Sequence, residues 1–349
     1  QGIENQRPFN LPKIVCKYLL GGMGNTYQVF SMRTEILLTL SILSLLCLTG
    51  LGEVSTIEYL LTKGAEEYVN GSLKEAFRSF DNATTVDPEN ATVWFARGMA
   101  LSGLKRYEEA ISSYNKSIRI DDKNADVWYA RATDESYIGR MNDSLASYDQ
   151  SLQIDPENKF VWYDKGNSLQ ELGRYEEAIT CYDQAILIDG NWSRPWDSKG
   201  YALGELGRYE EALQSFEESV DIYPNSSQSW YGKALALRSL GRTQEAEEAW
   251  STYLDLSYAH ISFSDNRGES MEDAIVIMNA RTDLEGVGSE YYYLEKRFGT
   301  DAVDRDRISQ YLVEGEEGRS YDVLEVHLTS GENATIYFDI TDFYGKGFV

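Results

Sequence analysis

The chain has 349 residues, room for two domains of the usual size of about 100–200 residues. A hydrophobic content of 42% with 13% aromatics supports a packed core and excludes a disordered chain. The net charge of −25 divides into +1 over 1–56, −15 over 57–260 and −11 over 261–349. No segment has the dense basic footprint that phosphate backbones require, so nucleic acid is excluded as an expected partner.

Residues 1–31 lie upstream of Met32, begin with Gln1 and show no periodicity, and they read as an over-extended, unstructured leader. Residues 32–52 follow the order of a secretory signal peptide: Met32-Arg33, then an uncharged block from Ile36, then Thr49-Gly50-Leu51-Gly52. The apolar block is short of the roughly 20 residues of a membrane span. A cleaved signal is therefore the first expectation, and an anchor retained over 36–52 is the second and the one expected membrane contact. A lipoprotein ranks third, because Leu45-Leu46-Cys47 lacks the small residue expected before a lipidated cysteine.

Asn-x-Ser/Thr sequons begin at Asn70, Asn82, Asn90, Asn115, Asn142, Asn191, Asn225 and Asn333. They take eight of the thirteen Asn residues after Gly52, an excess that joins the leader in pointing to an exported, extracytoplasmic or cell-surface glycoprotein. The competing explanation is the ordinary preference of Asn, Ser and Thr for helix ends and turns. Cys181 is the one cysteine after the leader, so neither an internal disulfide nor a zinc site is expected, and a buried filler is the plain reading.

From residue 57 a period of 34 governs the chain. Trp94, Trp128, Trp162, Trp196 and Trp230 mark it. Thirteen residues after each stand Tyr107, Met141, Tyr175, Tyr209 and Thr243; sixteen after stand Ala110, Ser144, Ala178, Ala212 and Ala246. Four further on come Tyr114, Tyr148, Tyr182, Phe216 and Trp250. Each unit reads as two helices, with Ala91–Gly103 and Tyr107–Ile120 as one pair, and Lys159–Leu172 and Tyr175–Ile188 as another. Gly173, Gly207 and Gly241 fall where a left-handed residue closes the first helix. Pro88, Pro156 and Pro224 end the second helix of their units.

These residues resemble the tetratricopeptide repeat family over six units: 57–90, 91–124, 125–158, 159–192, 193–226 and 227–260. The first unit has Leu60 for Trp, and the last has Thr243 and Trp250 at two aromatic positions, as terminal units often vary. The family's usual Leu three residues after the Trp is replaced by Arg97, Arg131, Lys165, Lys199 and Lys233, whose stems still cover apolar surface. The resemblance implies an all-α, right-handed superhelical solenoid whose first helices line a concave inner face. It places Phe95, Met99, Tyr129, Tyr163, Asn167, Tyr201 and Tyr231 on that face, an aromatic and largely uncharged surface suited to a peptide or helix. Aromatics and Asn at these positions are also common throughout the family, so shaping the superhelix is the competing role. The chaperone-binding members clamp a carboxylate with Lys and Asn; here Tyr163 stands where that Lys belongs, and the activity is not carried over. The recurring pairs Glu108-Glu109, Glu176-Glu177 and Glu210-Glu211 suit helix starts and solvation better than acid–base catalysis.

After Leu256 the rhythm stops. A linker over Ser257–Glu269, a short helix or strand at Met271–Met278 and a helix over Gly288–Phe298 are expected. Strands are expected over Ile308–Val313, Tyr321–Thr329 and Ala334–Phe343, the last two joined as a hairpin through Ser330–Asn333. Residues 261–349 thus read as a small α+β domain with Ile336, Phe338 and Ile340 on one face. It carries no catalytic constellation: His260 and His327 stand apart, and Asp301, Asp304 and Asp306 lack the glycine and distal Glu of a calcium loop.

The expected function is a non-enzymatic, cofactor-free, metal-free scaffold at the cell envelope that docks a protein or peptide partner in the repeat array. Two alternatives stand beside it. In one, the α+β module is the ligand-binding or catalytic part and the repeats position it. In the other, the arrays stack into a structural envelope component.

Overall fold

In the computed structural model the chain is described over residues 56–259, 262–270, 273–278, 283–298, 308–314 and 319–341. The expected leader (1–31) and signal or anchor segment (32–52) lie outside these, as do His260, Asp301, Asp304 and Asp306. The chain divides into two compact units, one ending at Gly190 and the other beginning at Asn191.

The first unit holds four helical hairpins. They are α1 (Thr56–Val69) with α2 (Leu73–Val86), α3 (Ala91–Gly103) with α4 (Tyr107–Ile120), α5 (Ala125–Tyr137) with α6 (Met141–Ile154), and α7 (Lys159–Glu171) with α8 (Tyr175–Ile188). We call the first helix of each hairpin A and the second B. Every A helix closes in one way. The residue two positions beyond it takes a left-handed conformation and a pair of crossed backbone bonds forms, as in Gly173 N–H to Gln170 O (2.9 Å) and Arg174 N–H to Leu169 O (2.9 Å). Glycine supplies that residue in the α1, α5 and α7 turns, but the α3 turn uses Lys105, with φ of 59°.

Within a hairpin, small residues let the helices cross closely. Ala76, Ala110, Ser144 and Ala178 are wholly buried at that crossing. An aromatic of helix B then lies flat over a small residue of helix A: a Cβ on Gly98 would overlap the Tyr114 ring, and one on Gly166 the Tyr182 ring. Tyr114, Tyr148 and Tyr182 are buried, each ring contributing roughly 1.5–3 kcal/mol of the kind that large apolar side chains give.

Between hairpins, the periodic Trp ties down the connecting turn. The indole N–H of Trp94 donates to the Pro88 carbonyl at 2.8 Å, that of Trp128 to Asp122 at 2.9 Å, and that of Trp162 to Pro156 at 2.9 Å. The cation three residues later lies over the same indole and reaches the preceding B helix. Arg97 binds Asp81 at 2.7 Å, Arg131 donates to Asn115 at 3.1 Å, and Lys165 pairs with Asp149. The substitution of cations for the family's Leu is thus a staple between neighbouring hairpins.

The second unit contains two further hairpins, α9 (Ser193–Glu205) with α10 (Tyr209–Ile222) and α11 (Ser227–Ser239) with α12 (Thr243–Ser257). They repeat the same devices: Gly207 and Gly241 have φ of 72° and 75°, Trp230 donates to Pro224 O at 2.8 Å, and Lys233 pairs with Glu217 at 3.3 Å. A five-stranded sheet follows, built from β1 (Ser262–Phe263), β2 (Ile275–Met278), β3 (Ser309–Glu314), β4 (Ser320–His327) and β5 (Asn333–Asp339), with α13 (Asp283–Phe298) between β2 and β3. Its order is β1-β2-β5-β4-β3, antiparallel except for the β2–β5 pair. The β4–β5 hairpin pairs Leu324 with Ile336 and Asp322 with Phe338, and Ile336, Phe338 and Ile340 face a core shared with Ile275, Ile277, Leu294 and Val326.

Two sequence expectations change here. The stretch read as a linker is partly structural, because Ser262–Phe263 forms a strand and Tyr258 and Phe263 pack on that core. Tyr258 also stacks on Tyr292 at 5.3 Å. The strand–helix choice at Met271–Met278 resolves to a strand over Ile275–Met278, whose β-branched run is half-buried between β1 and β5.

Candidate functional site

In the first unit, each A helix packs on the next A helix as well as on its own B helix: α1 on α3, α3 on α5, α5 on α7. The A helices therefore crowd on one side of that stack. In the second unit α9 packs on α11 in the same manner.

The seven residues expected on this face divide into two groups. Phe95 and Met99 are buried at 1% and 0% exposure, in a cluster with Leu101, Tyr114 and Val127. Tyr129 is 6% exposed and packs with Tyr148 and Val161. These three are packing groups in the structure, a correction to their expected role. In three units of the first stack the fifth residue meets the helix B aromatic of the same unit. Centroids are 6.0 Å apart for Phe95–Tyr114, 6.2 Å for Tyr129–Tyr148 and 6.0 Å for Tyr163–Tyr182. Tyr163, Asn167, Tyr201 and Tyr231 remain partly accessible. The Tyr182 hydroxyl lies 3.0 Å from Asn167 Oδ1, and the Tyr201 hydroxyl donates to Gln228 O at 2.9 Å. Tyr231 sits among Trp250 and Tyr253, at 5.7 and 5.2 Å.

Other residues of the first unit give the face its charge. Tyr137 ends α5 with 65% of its surface exposed and stacks on Tyr107 of α4, with centroids 5.2 Å apart. Asp164 of α7 accepts from the Tyr129 hydroxyl at 2.6 Å. Behind them Asp134 is fully buried, its Oδ1 accepting from Ser102 at 2.6 Å, and burial pushes its carboxyl up to about 7. Its neighbour Glu135 is buried too and is held by Arg131 at 3.2 Å and by the Ser147 hydroxyl. Sequence reasoning missed Tyr137, the last residue of α5 and eight residues after Tyr129. Asp134 and Glu135 stand at the tenth and eleventh places, where spacing alone gives no sign of burial.

The acidic pairs at helix B starts have a simple geometry. Glu109, Glu177 and Glu211 each receive a two-pronged bond from the Arg three residues before, Arg106, Arg174 and Arg208. Those arginines hold the carboxyls below their ordinary range. Cys181 is buried, and burial pushes its thiol up to about 11. Among the sequons, Asn70, Asn82, Asn142, Asn191, Asn225 and Asn333 are exposed. Asn90 instead caps α3, accepting from Thr92 N–H and donating to Asp87, and Asn115 accepts from Arg131.

Family models described as tetratricopeptide repeat match residues 91–124, 160–191 and 198–257. The chain carries tetratricopeptide repeats. Similar solved structures include YrrB, described as a TPR protein with an unusual peptide-binding site, at 20% identity over 52% of this chain and 93% of that one, with a TM-score of 0.47. A tetratricopeptide repeat protein from Parabacteroides merdae is 20% identical over 58% and 85%, with a TM-score of 0.49. MamA from Desulfovibrio magneticus is 16% identical over 49% and 97%, with a TM-score of 0.47. A comparison with curated proteins gives no match.

Proposed function

We propose that the tetratricopeptide repeats form a non-enzymatic docking scaffold for a peptide or protein segment, working outside the cytoplasm at the cell envelope. One observation supports docking above all: tyrosines of the A helices remain accessible. Tyr137 is 65% exposed, and Tyr163, Tyr201 and Tyr231 are partly so. Tyrosine offers large contact area at little entropic cost, which is why it is enriched where partners bind. Export is supported by the leader and by the sequons, six of which present exposed Asn residues.

Affinity capture from the native envelope with mass spectrometry would identify the partner, the mature start and the glycosylated Asn residues. With the partner in hand, Tyr163→Ala, Tyr201→Ala and Tyr231→Ala together should weaken binding by more than about 2 kcal/mol, the size of a hot spot. Unchanged affinity in the triple variant would remove these tyrosines from the mechanism.

A further inference from the structure

Among the described residues, β3 has an outer edge with no backbone partner. The strand closes the sheet at one end and pairs with β4 on its inner side alone. The opposite edge strand, β1, has two residues, whereas β3 has six. Edge strands are ordinarily guarded by a lysine, a proline or a bulge, since their free N–H and C=O groups otherwise accept a further strand. β3 has none of these guards. It contains no cation and no proline, and Ser309–Glu314 pairs residue by residue with Ser320–Glu325. It presents apolar side chains instead: Tyr311 and Leu312 are 44% and 43% exposed, and Val313 is half-buried.

The occupant follows from how this edge can pair with itself. The strand reads nearly alike in both directions about Leu312, with Tyr311 and Val313 apolar and Gln310 and Glu314 polar. An antiparallel partner related by a two-fold axis normal to the sheet keeps every side chain on its own face. Centred on Leu312, that symmetry sets Leu312 against Leu312, Tyr311 against Val313 and Gln310 against Glu314. Apolar then opposes apolar, and an aromatic beside a β-branched residue is a favourable cross-strand pair. The strand's one acid meets an amide rather than a second acid. Gln310 suits that role, because its amide gives one N–H to Asp322 and has a second to give. We propose that β3 is a homotypic interface, at which two copies of this chain join their sheets by antiparallel β3–β3 pairing about Leu312. The proposal is independent of the docking reading for the repeats.

The test uses the full chain with Cys16→Ser and Cys47→Ser, which leaves the buried Cys181 as its cysteine. Sedimentation equilibrium over a wide concentration range should give a weak monomer–dimer equilibrium, since one strand pair is a small interface. Leu312→Lys puts a cation at the centre and should weaken the dimer by about tenfold or more. Its melting curve should match the parent's, because the replaced side chain is exposed. Opposed Cα atoms lie about 4.5–5.5 Å apart, within disulfide reach, so Leu312→Cys should cross-link two copies on oxidation. Tyr311→Cys would face its own copy across roughly 8 Å and should not cross-link. Should Leu312→Lys melt early, the two cysteine variants decide alone. Residues 261–349 carry −11, so added salt should tighten the dimer, and loosening would overturn an apolar interface. A strict monomer throughout the range would overturn the proposal. So would a dimer that a folded Leu312→Lys leaves intact, which would place association on the repeats or the leader. Equal cross-linking of the two cysteine variants would overturn the register. A monomeric parent that instead captures an extended peptide through Leu312 would overturn the second copy as the occupant.

Discussion

Replacing Asp134 by Asn isolates the cost of burying one carboxyl. In the folded chain the group titrates at about 7, against 3.8 ordinarily, because burial outweighs the stabilising bond from Ser102. A difference of about three pK units at 1.36 kcal/mol each comes to roughly 4 kcal/mol. Below about pH 4 the carboxyl is neutral in the folded and unfolded chains, and the cost is absent. Between pH 4 and 7 the unfolded chain releases the proton while the folded chain keeps it, so stability declines as pH rises. Above pH 7 both forms are ionised and the full cost is present. Asn stays neutral throughout and can still accept from Ser102, so the variant should be more stable than the parent at pH 7.5, by up to that amount, and equal to it near pH 4. Urea unfolding at pH 4, 5.5 and 7.5 reads this as a gap between midpoints that opens with pH. Hydrogen exchange along α5 should show the same gap, which matters because repeat arrays do not always unfold in one step. Equal midpoints at pH 7.5, or a variant weaker than the parent there, would show that Asp134 is not buried as an uncompensated acid.

Lys105→Gly should raise the first unit's stability by about 0.5–1 kcal/mol, since a left-handed residue other than Gly carries roughly 1–2 kcal/mol of strain and Gly gives back part of that through unfolded-state entropy. Gly173→Ala should lower it by a similar amount, and thermal melts that move in the opposite directions would contradict the turn geometry. Ala178→Leu should destabilise by about 1–3 kcal/mol through overpacking at the helix crossing, and an unmoved melting curve would contradict that placement. Cys181 should resist a thiol reagent at pH 8 until denaturant is added, because the thiol is buried and titrates near 11; rapid labelling of the native chain would show otherwise.

The local elements were largely legible, and the side-chain environments much less so. Helices Ala91–Gly103, Tyr107–Ile120 and Tyr175–Ile188 begin and end where the 34-residue period puts them, since turn residues and small crossing residues repeat with it. Phe95, Met99 and Tyr129 carry no such mark. Their spacing gives the side of the helix, but whether that side is covered depends on contacts between residues far apart in sequence, such as Phe95 with Tyr114 and Val127. Strand β1 escaped notice because two residues hold no pattern, and its pairing with β2 depends on Ile277 and Met278, distant in the chain.

The cation three residues after each Trp offers the sharpest comparison, because one substitution at equivalent places should have unequal effects. Lys233 pairs with Glu217 at 3.3 Å, but the Glu217 side chain is 47% exposed, so Lys233→Leu should cost no more than about 1 kcal/mol. Arg131 has a second duty. It lies 3.2 Å from Glu135, whose side chain is only 7% exposed and whose carboxyl is already raised by burial despite the arginine's opposing pull. Arg131→Leu would leave that carboxylate buried with the Ser147 hydroxyl as its remaining hydrogen-bond donor, a loss on the order of 3 kcal/mol at neutral pH. The loss should shrink as pH falls and Glu135 takes up a proton, and it should largely vanish in Arg131→Leu combined with Glu135→Gln. Denaturant midpoints for the two single variants and the double variant decide the matter. Equal costs at Arg131 and Lys233 would mean that these cations act only as surface staples, and that Glu135 of α5 is held by something other than charge.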